Sequence, residues 1–221
     1  MSAGRVGVRN ALGAPGLGSA ERPVGPPPAG PGDRAVYVHF PYCASKCPYC
    51  DFNSHVLDHD DDRYARAILA ELDARVADLP PSTLDRPALS SVFFGGGTPS
   101  RWAPEAVGRV LDGIRARTGA GPDTEVTLEA NPGSIDAARF AAFVAAGVGR
   151  LSIGCQSFDD AELGWLGRRH DATAGVRAVE AAVRAGARVS LDVMYGLPGQ
   201  SWAAIRRTLD RAIALGTEHI S

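Results

Sequence analysis

The chain has 221 residues, 45% of them hydrophobic, and a formal net charge of -2. That is enough apolar material for one large core or two small ones, and too little positive charge for a general nucleic-acid surface. No apolar run approaches the roughly 20 residues that span a bilayer, and no apolar segment of secretory type follows Arg5 and Arg9.

Residues 1–34, "MSAGRVGVRN ALGAPGLGSA ERPVGPPPAG PGDR", are rich in Gly and Pro without apolar periodicity and read as a disordered leader. From residue 35 strands and helices alternate. "AVYVHF" (35–40) reads as a strand, and residues 60–78 as an amphipathic helix with Ile68, Leu69, Leu72 and Val76 on one face. A strand over 89–94 precedes a helix over 104–117 with Pro in its first turn. Then come strand 125–130, helix 136–147, strand 150–155, helices near 159–167 and 173–186, and strand 188–196. A last helix spans 201–215, and a sixth strand is expected to start at His219.

This rhythm predicts βαβ units and a parallel sheet, with a core domain over 35–221. A sixth strand that stops as it starts would leave a sheet edge open. The sequence is therefore expected to be a piece of a longer protein, less soluble alone than in an extended chain.

Cys43, Cys47 and Cys50 lie in "YCASKCPYCDF" with the spacing C-x3-C-x2-C, three of the chain's four cysteines within eight residues. Such clustering suits metal or redox use in a reducing compartment better than a disulfide framework, so a cytoplasmic protein is expected. A redox dithiol would use Cys47 and Cys50 and leave Cys43 unexplained. Structural zinc would need a fourth ligand, which His39 or His55 could supply. An iron–sulfur cluster normally takes four cysteines, and with three it would leave one iron open.

Downstream, "FFGGGTPS" (93–100) follows the second strand, and its glycines would let the backbone approach a ligand closely. Glu129 ends the third strand, Gln156 lies just past the fourth and Asp192 lies in the fifth. In a parallel barrel the C-terminal strand ends face the active site.

The ordered motifs "YVHFPYCASKCPYCDFNS", "FFGGGTPS", "LEANPGS", "LSIGCQSF", "LGRRH" and "DVMYGLPGQ" together resemble the radical S-adenosylmethionine (SAM) superfamily. More narrowly, they resemble the group containing oxygen-independent coproporphyrinogen III oxidase and the HemW-type heme chaperones. The resemblance implies a partial (β/α)6 TIM-like α/β barrel, interrupted at its sixth strand. It also implies a [4Fe-4S] cluster held by Cys43, Cys47 and Cys50, whose fourth iron binds SAM and whose electron can cleave a C–S bond of SAM. Tyr37, Gly96, Gly97, Thr98, Glu129, Gln156, Arg168 and Asp192 match positions that contact SAM, and Tyr49 is placed to pack near the adenine.

The oxidase-like pattern carries a further cysteine where this chain has Phe52, in "CDFNS". That departure favours heme as cargo, passed to an acceptor protein. Radical decarboxylation with an electron donor is the alternative, and a non-enzymatic zinc protein the second. Cys155 is read as a packing residue, His39 as structural or hydrogen-bonding, and His170 is left unassigned. A heme-ligating segment is expected beyond residue 221.

Overall fold

The structure is a computed structural model that describes residues 34–80 and 89–221. The expected leader, Arg34 apart, lies outside the described residues.

Six parallel strands form one sheet in sequential order: β1 (Ala35–Phe40), β2 (Ser91–Gly96), β3 (Glu125–Ala130), β4 (Arg150–Gln156), β5 (Arg188–Val193) and β6 (His219–Ile220). The helices are α1 (Asp61–Ala77), α2 (Pro104–Thr118), α3 (Ala137–Ala145), α4 (Asp160–Trp165), α5 (Ala172–Arg184) and α6 (Trp202–Ala214). Every strand pairs with the next in the chain, as in a partial (β/α)6 wall of TIM-barrel type.

Helix starts are set by side-chain caps. Asp60, Asp136, Asp159, Asp171 and Ser201 each accept from a backbone N–H of the first turn, and α2 begins on Pro104 instead. Each such cap contributes about 1 kcal/mol. The expected face of α1 is there: Ile68, Leu69, Leu72 and Val76 are half-buried beside the fully buried Ala65.

Alternation along the strands divides the molecule. Val38, Phe40, Val92, Phe94, Leu128, Leu151, Ile153 and Leu191 are buried against Val107, Leu111, Phe140, Phe143 and Val179 of the helices. Each fully buried aromatic or aliphatic side chain of this kind is worth about 1.5–3 kcal/mol. Residues of the opposite parity are mostly polar: Glu129 on β3, Ser152 and Gln156 on β4, Ser190 and Asp192 on β5. At the N-terminal end of the sheet, Glu125 bridges Arg150 (3.2 Å) and Arg188 (3.0 Å), and Arg188 reaches Glu218 (2.7 Å).

Several boundaries differ from expectation: β2 runs Ser91–Gly96 rather than 89–94, and α3 spans Ala137–Ala145 rather than 136–147. β5 stops at Val193 rather than running to 196, because Gly196 turns the chain with a φ of 79° and donates its N–H to Gln200 Oε1. Gln156 is the last residue of β4 rather than lying beyond it.

Candidate cofactor cavity

The loop after β1 closes on itself. Tyr42 and His55 form a parallel bridge, with Cys43 N–H donating to His55 O (2.9 Å) and His55 N–H to Pro41 O (2.7 Å). Lys46, the only lysine of the sequence, caps the carbonyls of Phe52 (3.1 Å) and Ser54 (3.5 Å). Beneath the loop, Phe40 stacks on Trp102 with ring centroids 5.1 Å apart, and Tyr42 stacks on His59 at 4.9 Å. Tyr64 donates to His39 O at 2.6 Å, and burial pushes its phenol up to about 12.

The glycine loop was expected to open the backbone to a ligand. At Gly97 the backbone also closely approaches the protein's own chain. Gly97 N–H donates to Phe40 O (2.7 Å) and Thr98 N–H to Tyr42 O (3.0 Å). A Cβ at Gly97 would lie 2.9 Å from Phe40 O, Pro41 C and Tyr42 O, all backbone atoms that cannot swing away. Gly97→Ala is therefore expected to lower stability by about 1–3 kcal/mol and to loosen the cysteine loop. Urea unfolding with limited proteolysis checks this, and wild-type values for both would count against the packing argument. Gly96 has a φ of 114° and donates its N–H to Glu129 Oε2 (3.0 Å).

One cavity is lined by Cys43, Cys47, Cys50, Tyr49, Gly96, Gly97, Thr98, Glu129, Gln156, Arg168 and Asp192. These are all the expected site residues except Tyr37. Tyr37 is largely exposed, stacks on Phe93 at 6.1 Å and lies 3.1 Å from His39 Nδ1 through its hydroxyl. Burial, reinforced by Glu129, raises its phenol.

Two carboxyls share the cavity. Burial pushes Glu129 up to about 7, with the Gly96 N–H opposing and Asp192 reinforcing. Burial also raises Asp192, against the Ser152 hydroxyl, which lies 3.3 Å from each carboxylate oxygen, and against Arg150. Arg168 ties the far wall together. Its Nη2 donates to Gly154 O (2.6 Å), and its Nη1 faces Tyr49 OH (3.2 Å) and Cys47 Sγ (3.6 Å). Thr98 Oγ1 lies 3.5 Å from Cys43 Sγ.

Gln156 has a φ of 69°, the only positive φ of a non-glycine among the described residues, and it follows an irregularity in the β4–β5 ladder at Gly154. Such backbone costs of order 1 kcal/mol and clusters at functional sites. Cys155 faces the helices instead. It is fully buried, with its thiol pushed up to about 12 by burial, so its packing role holds. His170 is also buried, its Nε2 3.1 Å from Cys155 O.

The donor set fits the cluster that the resemblance implies. All described cysteines are free thiols, and three of them open onto a cavity that also holds the half-buried Glu129 and Asp192 carboxyls. Among the described residues, no three His, Cys, Asp or Glu side chains converge on a point able to hold a single metal ion. A cluster does not require that, since its thiolates sit on different irons. The histidines considered for zinc are engaged elsewhere. His39 Nε2 lies 2.8 Å from Asn53 O, and His55 Nε2 lies 3.2 Å from Asn53 Oδ1.

Lys46, Ser54, Asn131 and Ser152 also line the cavity and were missed. Ser152 had a signal in the sequence, because it shares its strand face with Gly154 and Gln156. Lys46 had none beyond being the sole lysine.

A parallel α/β wall with three thiols, a glycine turn and paired carboxyls gathered at one end of its strands is of the TIM-like barrel class. The chain belongs to the Radical SAM superfamily, whose family model matches residues 37–212. It is 43% identical over 192 residues to the heme chaperone HemW of Escherichia coli K12, covering 85% of this chain and 49% of that protein. It is also 43% identical to the mitochondrial radical S-adenosyl methionine domain-containing protein 1 of Bos taurus, covering 89% of this chain and 44% of that one. The chain thus spans about half the length of the curated relatives it matches. Among solved structures, coproporphyrinogen III oxidase (HemN) of Escherichia coli, a radical SAM enzyme, superposes with a TM-score of 0.74 at 28% identity. That match covers 86% of this chain and 44% of HemN. No helix among the described residues is long and apolar enough to cross a membrane.

Proposed function

We propose that Cys43, Cys47 and Cys50 hold a [4Fe-4S] cluster, that SAM is held against it, and that the whole protein binds heme and passes it to an acceptor in the cytoplasm. The observation that carries the reading is the single cavity in which the three thiols meet Glu129, Gln156, Arg168 and Asp192. When bound, the cluster would supply one electron to the sulfonium of SAM.

The chain's own residues divide the remaining work. Glu129 and Asp192 offer carboxylates to the ammonium and ribose hydroxyls of SAM, Gln156 offers an amide, and Arg168 a guanidinium fork for the SAM carboxylate. Arg168 stands beside Cys47 Sγ, and its positive charge offsets thiolate charge at the loop. Tyr49, whose hydroxyl meets Arg168, presents its ring at the cavity edge for the adenine.

The heme reading rests on the HemW relatives and on Phe52. That residue lines the cavity where the oxidase-like pattern carries a further cysteine. The second reading, radical decarboxylation of coproporphyrinogen with an electron donor, is favoured by the likeness to HemN.

The test is anaerobic reconstitution with iron and sulfide, EPR with and without SAM, and then heme titration. A cluster signal perturbed by SAM, heme binding and no decarboxylation support the chaperone. Turnover of coproporphyrinogen selects the second reading. A colourless protein holding zinc overturns both.

A further inference from the structure

A second cavity, of about 540 Å³, adjoins the first at the cysteine loop, where Ala44, Ser45 and Cys47 form one wall. Its composition is unlike that of the first. Arg101, Arg139, Arg168, Arg169 and His59 line it, and among the described residues no Asp or Glu does. A concave site lined by one sign of charge focuses its field and concentrates ligands of the opposite sign.

The arginines are not equally committed. Arg139 is spent on structure: Nε donates to Ser100 O (2.9 Å), and Nη2 donates to Arg101 O (2.8 Å) and Trp102 O (2.7 Å). That clamp fixes the backbone that carries Arg101. Arg168 is partly committed to Gly154 O and the Cys47 side. Arg169 is exposed.

Among the described residues, Arg101 Nη1, Arg168 Nε and His59 Nδ1 have neither a hydrogen-bond partner nor accessible surface, so they lie behind the lining and a ligand would meet the outward atoms of these groups. Planar guanidinium groups match the oxygens of phosphate and carboxylate.

We propose that this cavity is a separate site for a small oxyanionic ligand, one bearing phosphate or carboxylate groups, held chiefly by Arg101 and Arg169. The site goes beyond the cluster and SAM reading and does not depend on it. Ser45, Cys47, Thr98, Asn131 and Arg168 belong to both linings, so an anion seated here adjoins the first cavity at the cysteine loop.

The experiment is calorimetric titration of the full chain, with and without a reconstituted cluster, using inorganic pyrophosphate in one arm and citrate in the other. Saturable binding of either, undiminished by excess SAM, is expected. Arg169→Gln should weaken it about tenfold, the size of one lost charge-assisted hydrogen bond, and Arg101→Gln at least as much. Gly133→Glu serves as a variant that removes no arginine. A Cβ there has room, with Asn131 Oδ1 at 3.7 Å and His170 Cβ at 3.8 Å, and the new carboxylate stands at the cavity rim. It should abolish binding while leaving unfolding by urea and SAM affinity unchanged.

Tighter binding of pyrophosphate assigns a phosphorylated ligand, and tighter binding of citrate a polycarboxylate. No saturable binding in either arm overturns the site. So does binding that SAM displaces, or binding that all three variants retain.

Discussion

Cys47→Ala, reconstituted anaerobically with iron and sulfide, is expected to lose the brown chromophore and most of the iron that the wild type takes up, about four atoms per chain for a [4Fe-4S] cluster. The loop supplies only three thiols to the cavity. Removing one leaves two irons unligated rather than one, and the SAM-dependent change in the EPR spectrum should vanish with it. Cys155→Ala is the matched control, since that thiol is fully buried on the helix-facing side of β4, away from the cavity lining. It should keep the cluster and cost about 1 kcal/mol of packing, the scale of one small group deleted from a core. Iron and sulfide analysis, absorbance and EPR check both variants. Equal iron loss in the two would mean that unfolding, not ligation, was being read.

Glu129→Gln is expected to move stability and ligand binding in opposite directions. Burial raises the Glu129 carboxyl to about 7 from its ordinary 4.5. The folded state therefore binds the proton more tightly than the unfolded chain does. Its stabilisation is complete when the group is protonated and falls as pH rises from about 4.5 through 7. Above that the charged carboxylate costs the ligand-free protein up to about 3 kcal/mol. The amide carries no such charge and can still accept the Gly96 N–H. The variant should therefore melt about 5 °C or more above wild type at pH 8.5, with the gap closing towards pH 5.

Binding of SAM should show the reverse. A cationic ligand favours the carboxylate, so wild-type affinity should rise with pH through 7. The variant should bind at least tenfold more weakly at pH 8, with little pH dependence. Thermal melts and equilibrium dialysis across pH 5–9 measure both. A melting difference independent of pH would exclude Glu129 as the titrating group.

Much of this arrangement was legible in the residues. Strand and helix periods separate cleanly, and the residues at strand ends needed only the parallel-barrel rule to be grouped. What escaped has physical causes. The one-turn helices Pro99–Arg101 and Pro132–Ser134 are too short to show a period. β5 reads as apolar to Tyr195, yet its end is set by a glycine turn and a Gln200 side chain four residues on. The Gly97 contact depends on two segments more than 50 positions apart in sequence, and no local pattern reports it. Arg101, Arg139 and Arg169 carried no signal in the sequence, because their common cavity exists only once the loops after β1, β2, β3 and β4 are assembled.

The Gly97 packing also bears on protein design. The Phe40–Tyr42 backbone and the Gly97 backbone fit each other with no space for a methyl group, so the cysteine motif is not a portable peptide. A graft of residues 42–50 alone onto another parallel barrel would carry the thiols without the surface that shapes their loop. A transferable module has to include the end of β1, the glycine turn after β2, and Trp102 beneath them.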